Sequence, residues 1–128
     1  DIAGAIGLGA AIDYLNQLDR EAASAHEMAL LHYAEEKART PPGIKLVGTS
    51  EKKTSGMSFL IEGTHPADEG VLLDKQGIAV RTGNHCAQPI MDQFGIPGTV
   101  RASFSFYNTF EEVDRLFLAI EKAKTFLL

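Results

Sequence analysis

The sequence contains no tryptophan, only one cysteine, and no apolar run of the roughly 20 residues that a membrane helix needs. A single cysteine cannot form an internal disulfide, which excludes a disulfide-rich secreted scaffold and favours a reducing compartment. The formal net charge of −5 disfavours non-specific binding to nucleic acid or anionic membranes, since both require a basic surface. We therefore expect a cytoplasmic protein.

What the chain does contain is the composition of an ordinary globular domain, with 45% apolar and 23% charged residues among 128. This length is sufficient for one domain with its own hydrophobic core. The segment DIAGAIGLGAAIDYL enters a helix-like pattern at the first residues, without a leader or a start methionine. We expect a fragment of a longer chain, although a processed product would look the same.

Helical and strand patterns alternate along the chain. Helices are predicted over residues 3–18, 19–39, 64–77, 88–95 and 109–128, and strands over residues 44–48, 57–63, 78–82 and 99–107. Thr109 and Glu112 have the spacing of a capping box at the start of the last helix. These elements predict an α/β layer of about four strands covered by helices.

The first predicted helix is unusually rich in glycine. Gly4, Gly7 and Gly9 each cost about 1 kcal/mol relative to alanine in a helix interior, so we expect close packing against another element. Their spacing reverses a dinucleotide-binding fingerprint, and no strand precedes them, which argues against a nucleotide loop.

Strand alternation in residues 99–107 predicts one apolar face formed by Val100, Ala102, Phe104 and Phe106. Arg101 lies on the opposite, polar face. An arginine fixed on a strand can bind a carboxylate through two N–H donors, or it can pair with a neighbouring surface acid. The sequence leaves both interpretations open.

The only cysteine lies in TGNHCAQP, residues 82–89, between a predicted strand and a short helix that begins near Gln88. A reactive thiol needs exposure and a nearby cation, hydrogen-bond donor or helix start. His85 adjoins Cys86, and Arg81 precedes it across the turn. The residues themselves leave open a reactive thiol, a buried structural cysteine and a metal ligand.

Two other chemistries are less favoured by the spacing of these residues. Zinc requires three or four ligands at recognisable spacings, which the adjacent His85 and Cys86 and the scattered remaining histidines do not provide. A cysteine hydrolase would pair Cys86 with a distant histidine and an orienting amide, for which His65 and Asn108 are candidates. Their surroundings match no protease signature, and His65 is better placed to start a helix beside Pro66.

Taken together, GIAVRTGNHCAQPIMDQFGIPGTVRASFSFYNTFEEVDRL resembles the C-terminal end of the SUF-type cysteine desulfurases and selenocysteine lyases. These are pyridoxal-phosphate enzymes of the class-V aminotransferase family. The resemblance extends back through PGIKLVGTS to AGAIGLGAAIDYLNQLD and so covers essentially the whole chain. One departure is Asn84, where the family often has histidine.

The resemblance implies a persulfide mechanism. The thiolate attacks the sulfur of a cofactor-bound cysteine, which leaves a persulfide on the enzyme and releases alanine. By motif match Cys86 is the persulfide carrier, Arg101 binds the substrate α-carboxylate, and Arg81 lines the same pocket. His85 is a neighbour that tunes the thiol. With selenocysteine as substrate, elimination is expected to depend less on Cys86.

The resemblance also implies that the cofactor lysine and the cysteine lie in two different domains. The family's cofactor lysine lies in a large upstream domain, and none of the lysines here matches it. Residues 1–18 would be the connecting helix, and residues 19–128 the C-terminal small domain of an aspartate-aminotransferase-like fold with a mostly antiparallel sheet. The chain alone would be inactive.

The expected partners follow from the same resemblance. They are pyridoxal phosphate held by the large domain, L-cysteine or L-selenocysteine, a SufE- or SufU-type sulfur acceptor that feeds iron–sulfur cluster assembly, and a second copy in a homodimer. A standalone sulfur-relay or interaction module without pyridoxal-phosphate chemistry remains the alternative.

Overall fold

A computed structural model describes residues 1–128 as five helices and four strands. The helices are α1 (Ile2–Asn16), α2 (Arg20–Arg39), α3 (Pro66–Asp74), α4 (Gln88–Phe94) and α5 (Phe110–Leu127). The strands are β1 (Ile44–Val47), β2 (Gly56–Ile61), β3 (Arg81–Gly83) and β4 (Thr99–Ser103). No helix combines the length and apolar composition that crossing a bilayer requires. The predicted α/β architecture is confirmed.

The four strands form one antiparallel sheet in the order β1-β2-β4-β3. Its inner face is set by alternation along β2, where Met57, Phe59 and Ile61 are buried. Helices α2 and α3 pack against the sheet, and α5 packs against both helices. The outer face carries the alternate residues, among them Ser58 and Arg101. This face bears the polar side chains discussed below.

Phe59 lies at the centre of the core and has no exposed surface. It is paired with Leu46 on β1 and with Val100 on β4. Leu30 of α2 and Ile120 of α5 belong to the same cluster of buried side chains. Burying a side chain of this kind contributes about 1.5–3 kcal/mol, so this cluster fixes the sheet beneath the helices.

Local side-chain contacts start the helices where the sequence predicts. The Thr109 hydroxyl accepts from the Glu112 N–H, and the Glu112 carboxylate accepts from the Thr109 N–H, which confirms the capping box. His65 also has the predicted role at a helix start, because its Nδ1 accepts from the Ala67 N–H next to Pro66.

β4 is shorter than predicted and ends at Ser103. The chain then turns, because the Asn108 side-chain oxygen accepts from the Ser105 N–H and the Asn108 N–H donates to the Ser105 carbonyl. Phe104 is still buried, whereas Phe106 is 46% exposed. The predicted common face for these two phenylalanines is therefore wrong.

β3 also differs, since it begins at Arg81 rather than at residue 78. Ile78 and Val80 pack partly buried against the core without strand pairing. The Ile78 N–H instead donates to the Leu73 carbonyl and closes the C-terminal end of α3.

Helix α1 is helical as predicted but buries none of its residues. Ile6 is 69% exposed and Leu8 is 63% exposed. A Cβ added at Gly7 or Gly9 would meet no atom within 4 Å. The close packing expected for these glycines is not made within residues 1–128.

Candidate functional site

The thiol of Cys86 is exposed and lies beside a guanidinium group. Nη2 of Arg81 donates a hydrogen bond to Sγ over 3.4 Å. β3 delivers the chain into the loop, and α4 begins just beyond it at Gln88. A positive group in contact with sulfur stabilises the negative charge on which nucleophilic attack depends. Exposure excludes the buried structural cysteine that the sequence left open.

The backbone around the thiol is strained. His85 has φ 54° and Cys86 has φ 62°, so two consecutive residues other than glycine adopt the left-handed region. Each costs about 1–2 kcal/mol relative to ordinary backbone. Asn84 supports the turn, because its side-chain oxygen accepts from the Cys86 N–H at 3.0 Å and its amide donates to Gln88 at 3.1 Å. The residue that departs from the family pattern thus has a structural task here.

The His85 ring is bonded to β4. Its Nε2 is hydrogen-bonded to Oγ1 of Thr99 at 2.8 Å, with the direction of donation set by the tautomer. Nδ1 is buried without a partner. Burial, and then the positive charge of Arg101 and of Arg81, lower the pKa of His85 below its ordinary value. The lowered pKa favours the neutral form of the ring, which makes no hydrogen bond to Sγ.

Arg81 and Arg101 are direct partners in the antiparallel pairing of β3 and β4. The ion pairs of the chain are Lys37–Asp114, Lys53–Glu35 and Lys124–Glu121, so neither arginine is matched by a carboxylate. Nε of Arg101 is buried and has no hydrogen-bond partner. The alternative in which Arg101 pairs with a surface acid is therefore not realised.

The hydrolase candidates are not assembled around the thiol. His65 caps α3, and the Asn108 side chain contacts Ser105 and Glu112 at the start of α5. No group of three or more His, Cys, Asp or Glu side chains is placed to hold a metal ion.

The lysines do not provide a pyridoxal-phosphate site. Lys37, Lys53 and Lys124 are engaged in ion pairs with other elements. Lys45 lies on β1, the edge strand opposite to β3. No lysine amine is hydrogen-bonded to the loop around Cys86, so the residues of this chain do not fit the cofactor on their own.

Cys86 and Arg81 are joined by a hydrogen bond, and Arg101 is paired with Arg81 across the two strands. The structure adds contacts of Thr99 and Asn84 that the sequence analysis did not predict. Asn84 has a recognisable signal, since an asparagine side chain commonly accepts from the N–H two residues on in a turn. Thr99 has no such sequence signal, because its hydrogen bond to His85 joins two segments that only the pairing of β3 with β4 brings together. The arrangement places an exposed thiol in contact with Arg81, and Arg101 on the adjacent strand has N–H donors of the kind that can bind a carboxylate.

The chain is similar to known proteins in both sequence and fold. The family model described as aminotransferase class-V matches residues 1–116. The cysteine desulfurase of Synechococcus elongatus is 46% identical over 125 residues, which are 98% of this chain and 20% of that protein.

Two solved structures are similar over nearly the whole chain. The cysteine desulfurase CsdA from Escherichia coli has a TM-score of 0.92 and 37% identity, covering 100% of this chain and 32% of that one. The apo cysteine desulfurase from Thermococcus onnurineus has a TM-score of 0.88 and 38% identity, covering 98% of this chain and 32% of that one. The chain therefore spans about a fifth to a third of the length of these relatives.

Proposed function

Because the chain belongs to the class-V aminotransferase family, we propose that it is the thiol-bearing small domain of a pyridoxal-phosphate-dependent cysteine desulfurase. The observation that carries the proposal is the hydrogen bond from Arg81 to the exposed Sγ of Cys86, next to an Arg101 without an acidic partner. In this proposal residues 1–18 form the connecting helix and residues 19–128 form the small domain.

The proposed reaction moves one sulfur atom from the substrate to Cys86. The thiolate attacks the sulfur of L-cysteine, and an S–S bond forms as the C–S bond of the substrate breaks. The electron pair of that bond stays with the carbon, which takes up a proton to give L-alanine. Cys86 is left as a persulfide, and no external oxidant or reductant is required.

The two arginines have separate tasks in this proposal. Arg101 binds the α-carboxylate through two N–H donors from a rigid strand, which fixes the substrate. Arg81 contacts Sγ directly and stabilises the anionic sulfur. The exposure of Cys86 then leaves the persulfide accessible to an acceptor protein.

The remaining components lie outside these residues in the proposal. Pyridoxal phosphate, held by a large domain, supplies the electron-withdrawing group that activates the substrate. The acceptor is a SufE- or SufU-type protein that feeds iron–sulfur cluster assembly in the cytoplasm, and the whole enzyme is a homodimer. L-selenocysteine is a second substrate.

The test is the substitution Cys86→Ala in the longer enzyme. Sulfide production from L-cysteine should fall at least about 100-fold, because no nucleophile remains to accept the sulfur. Activity towards L-selenocysteine should be largely retained. Ser24→Ala, on an exposed residue of α2, is the control and should change neither rate. Equal loss of both activities in Cys86→Ala would count against the assigned role.

The chain by itself is expected to be inactive. Incubation with pyridoxal phosphate and L-cysteine should release no sulfide and produce no new cofactor absorption band, because no lysine lies at the site. Sulfide release would contradict this expectation.

The exposed thiol without a neighbouring lysine also suits the alternative of a cofactor-free sulfur relay. That alternative requires the isolated chain to accept sulfur from a persulfide donor and pass it on. Mass spectrometry of Cys86 after exposure to a persulfide donor and then to an acceptor tests this alternative, and an isolated chain that takes up no sulfur would rule it out.

A further inference from the structure

One side-chain hydrogen bond joins the loop that carries the thiol, residues 84–86, to β4. Among the side chains of residues 84–86, only His85 bonds to β4, through Nε2 to the Thr99 hydroxyl at 2.8 Å. Asn84 bonds within the loop and to α4. The His85–Thr99 bond is therefore the side-chain link between the loop and the strand that bears Arg101.

Thr99, the partner of His85 in this bond, lies in a tightly packed part of the sheet. Thr99 is only 1% exposed and is paired with Gly83 across the sheet. The two strands are in close contact just before this pair, since a Cβ added at Gly98 would lie 2.7 Å from the carbonyl carbon of Gly83. The hydroxyl of Thr99 is thus held at a fixed place relative to the loop.

The loop needs such a link because its backbone is strained. Left-handed conformations at residues other than glycine persist only where the surrounding structure determines them. Here they occur at His85 and Cys86 in succession. Without an external contact, relaxation of either residue would move the Cys86 side chain.

We propose that His85 is a positioning residue whose hydrogen bond to Thr99 holds the left-handed turn and so keeps Sγ of Cys86 next to Arg81. The inference deepens the proposed function, because it rests on Cys86 being the reactive thiol. It differs from direct tuning of the thiol by the ring, since Nε2 is engaged by Thr99 and Nδ1 is buried. The charged groups that face the ring are Arg101 and Arg81, and both favour its neutral form.

The test uses the rate of alkylation of Cys86 by iodoacetamide at pH 7, which is unambiguous because the chain has one cysteine. Thr99→Val removes the hydroxyl but keeps the β-branched shape. It should slow alkylation about fivefold, the equivalent of one ordinary hydrogen bond. Thr99→Ser retains the hydroxyl and should stay within about twofold of the parent.

A second variant separates the hydrogen bond from the backbone preference. His85→Asn keeps a residue that tolerates the left-handed region but is too short to reach Thr99. This variant should slow alkylation about as much as Thr99→Val does. The double variant His85→Asn/Thr99→Val should be no slower than either single variant, because the single variants and the double variant all lose the same hydrogen bond. If Thr99→Val does not fold, as judged by circular dichroism, His85→Asn and Thr99→Ser carry the test.

Two results would overturn the inference. One is an unchanged alkylation rate in a folded His85→Asn or Thr99→Val variant. The other is a double variant whose effects multiply, which would show that the two residues act independently. Neither result depends on desulfurase activity, since alkylation needs no cofactor or substrate. Failure of the proposed function would appear instead in the sulfide assay with Cys86→Ala.

Discussion

Arg81 and Arg101 stand directly opposite each other on adjacent antiparallel strands, on the outer face of the sheet. Like charges in this relationship repel and destabilise a sheet. The chain as a whole carries a net charge of −5, yet no carboxylate forms an ion pair with either arginine. An anion bound between them would relieve the repulsion, and the same two strands place the only thiol of the chain at this position.

Arg81→Ala should reduce the reactivity of the thiol. Loss of the guanidinium removes the hydrogen bond to Sγ, so alkylation of Cys86 by iodoacetamide at pH 7 should slow about fivefold. Arg20→Ala, at the exposed start of α2, removes the same charge far from the loop and should leave the rate unchanged. An equal effect of both substitutions would show that only the net charge matters.

Arg101→Ala should weaken substrate binding in the desulfurase proposed above. The KM for L-cysteine should rise about 100-fold, as expected for loss of a two-donor contact to a carboxylate. Arg101→Lys keeps the charge but not the paired donors, so it should fall between the parent and the alanine variant. The control is Arg115→Ala on the exposed side of α5. A KM that stays at the parental value in Arg101→Ala would rule out this binding role.

We expect the stability of the fold to depend on pH through the buried carboxyl group of Glu69. Burial raises the pKa of this carboxyl above its ordinary value, more than the contact with Thr64 lowers it, and Asp68 and His65 are the nearby charged groups. Its folded pKa therefore exceeds its unfolded pKa. The stability that the protonated group contributes is complete below the unfolded pKa and is lost as the pH rises through the folded pKa.

Glu69→Gln should remove this loss, because the amide is neutral at every pH. The melting temperature of the variant relative to the parent should be higher at pH 7 than at pH 4, measured by circular dichroism. Glu62→Gln, on an exposed residue, is the control and should show the same difference at both pH values. A pH-independent difference for Glu69→Gln would contradict the assignment.

Phe59→Ala should destabilise the whole fold. Phe59 has no exposed surface, and removing its ring should cost about 3–5 kcal/mol in the free energy of unfolding, measured by urea denaturation. Phe126→Ala makes the same change at a residue that is 71% exposed, and it should cost less than about 0.5 kcal/mol. Similar losses at both positions would indicate that the core is not centred on β2.

The interactions that the sequence predicted well are short in range. The capping box of Thr109 and Glu112 and the helix start at His65 involve atoms a few residues apart, and the structure contains both. In the same way, the burial of Met57, Phe59 and Ile61 at alternate positions of β2 follows from the rule that successive side chains on a strand point to opposite faces.

One prediction failed because a local turn interrupted the alternating pattern. Alternation favoured a strand through Phe106, but the Asn108 side chain turns the chain beyond Ser103. The close packing expected for the glycines of α1 stays a prediction, because the helix buries none of its residues within this chain.

By itself the sequence determined the α/β class, the helix starts and the position of one cysteine between Arg81 and Arg101, because periodicity, capping and motif spacing depend on neighbouring residues. Only the tertiary structure decided that Arg81 is paired with Arg101 without an acidic partner, and that His85 is hydrogen-bonded to Thr99. These relationships depend on the register of β3 against β4. That register is fixed by packing across the whole sheet and not by residues adjacent in the chain.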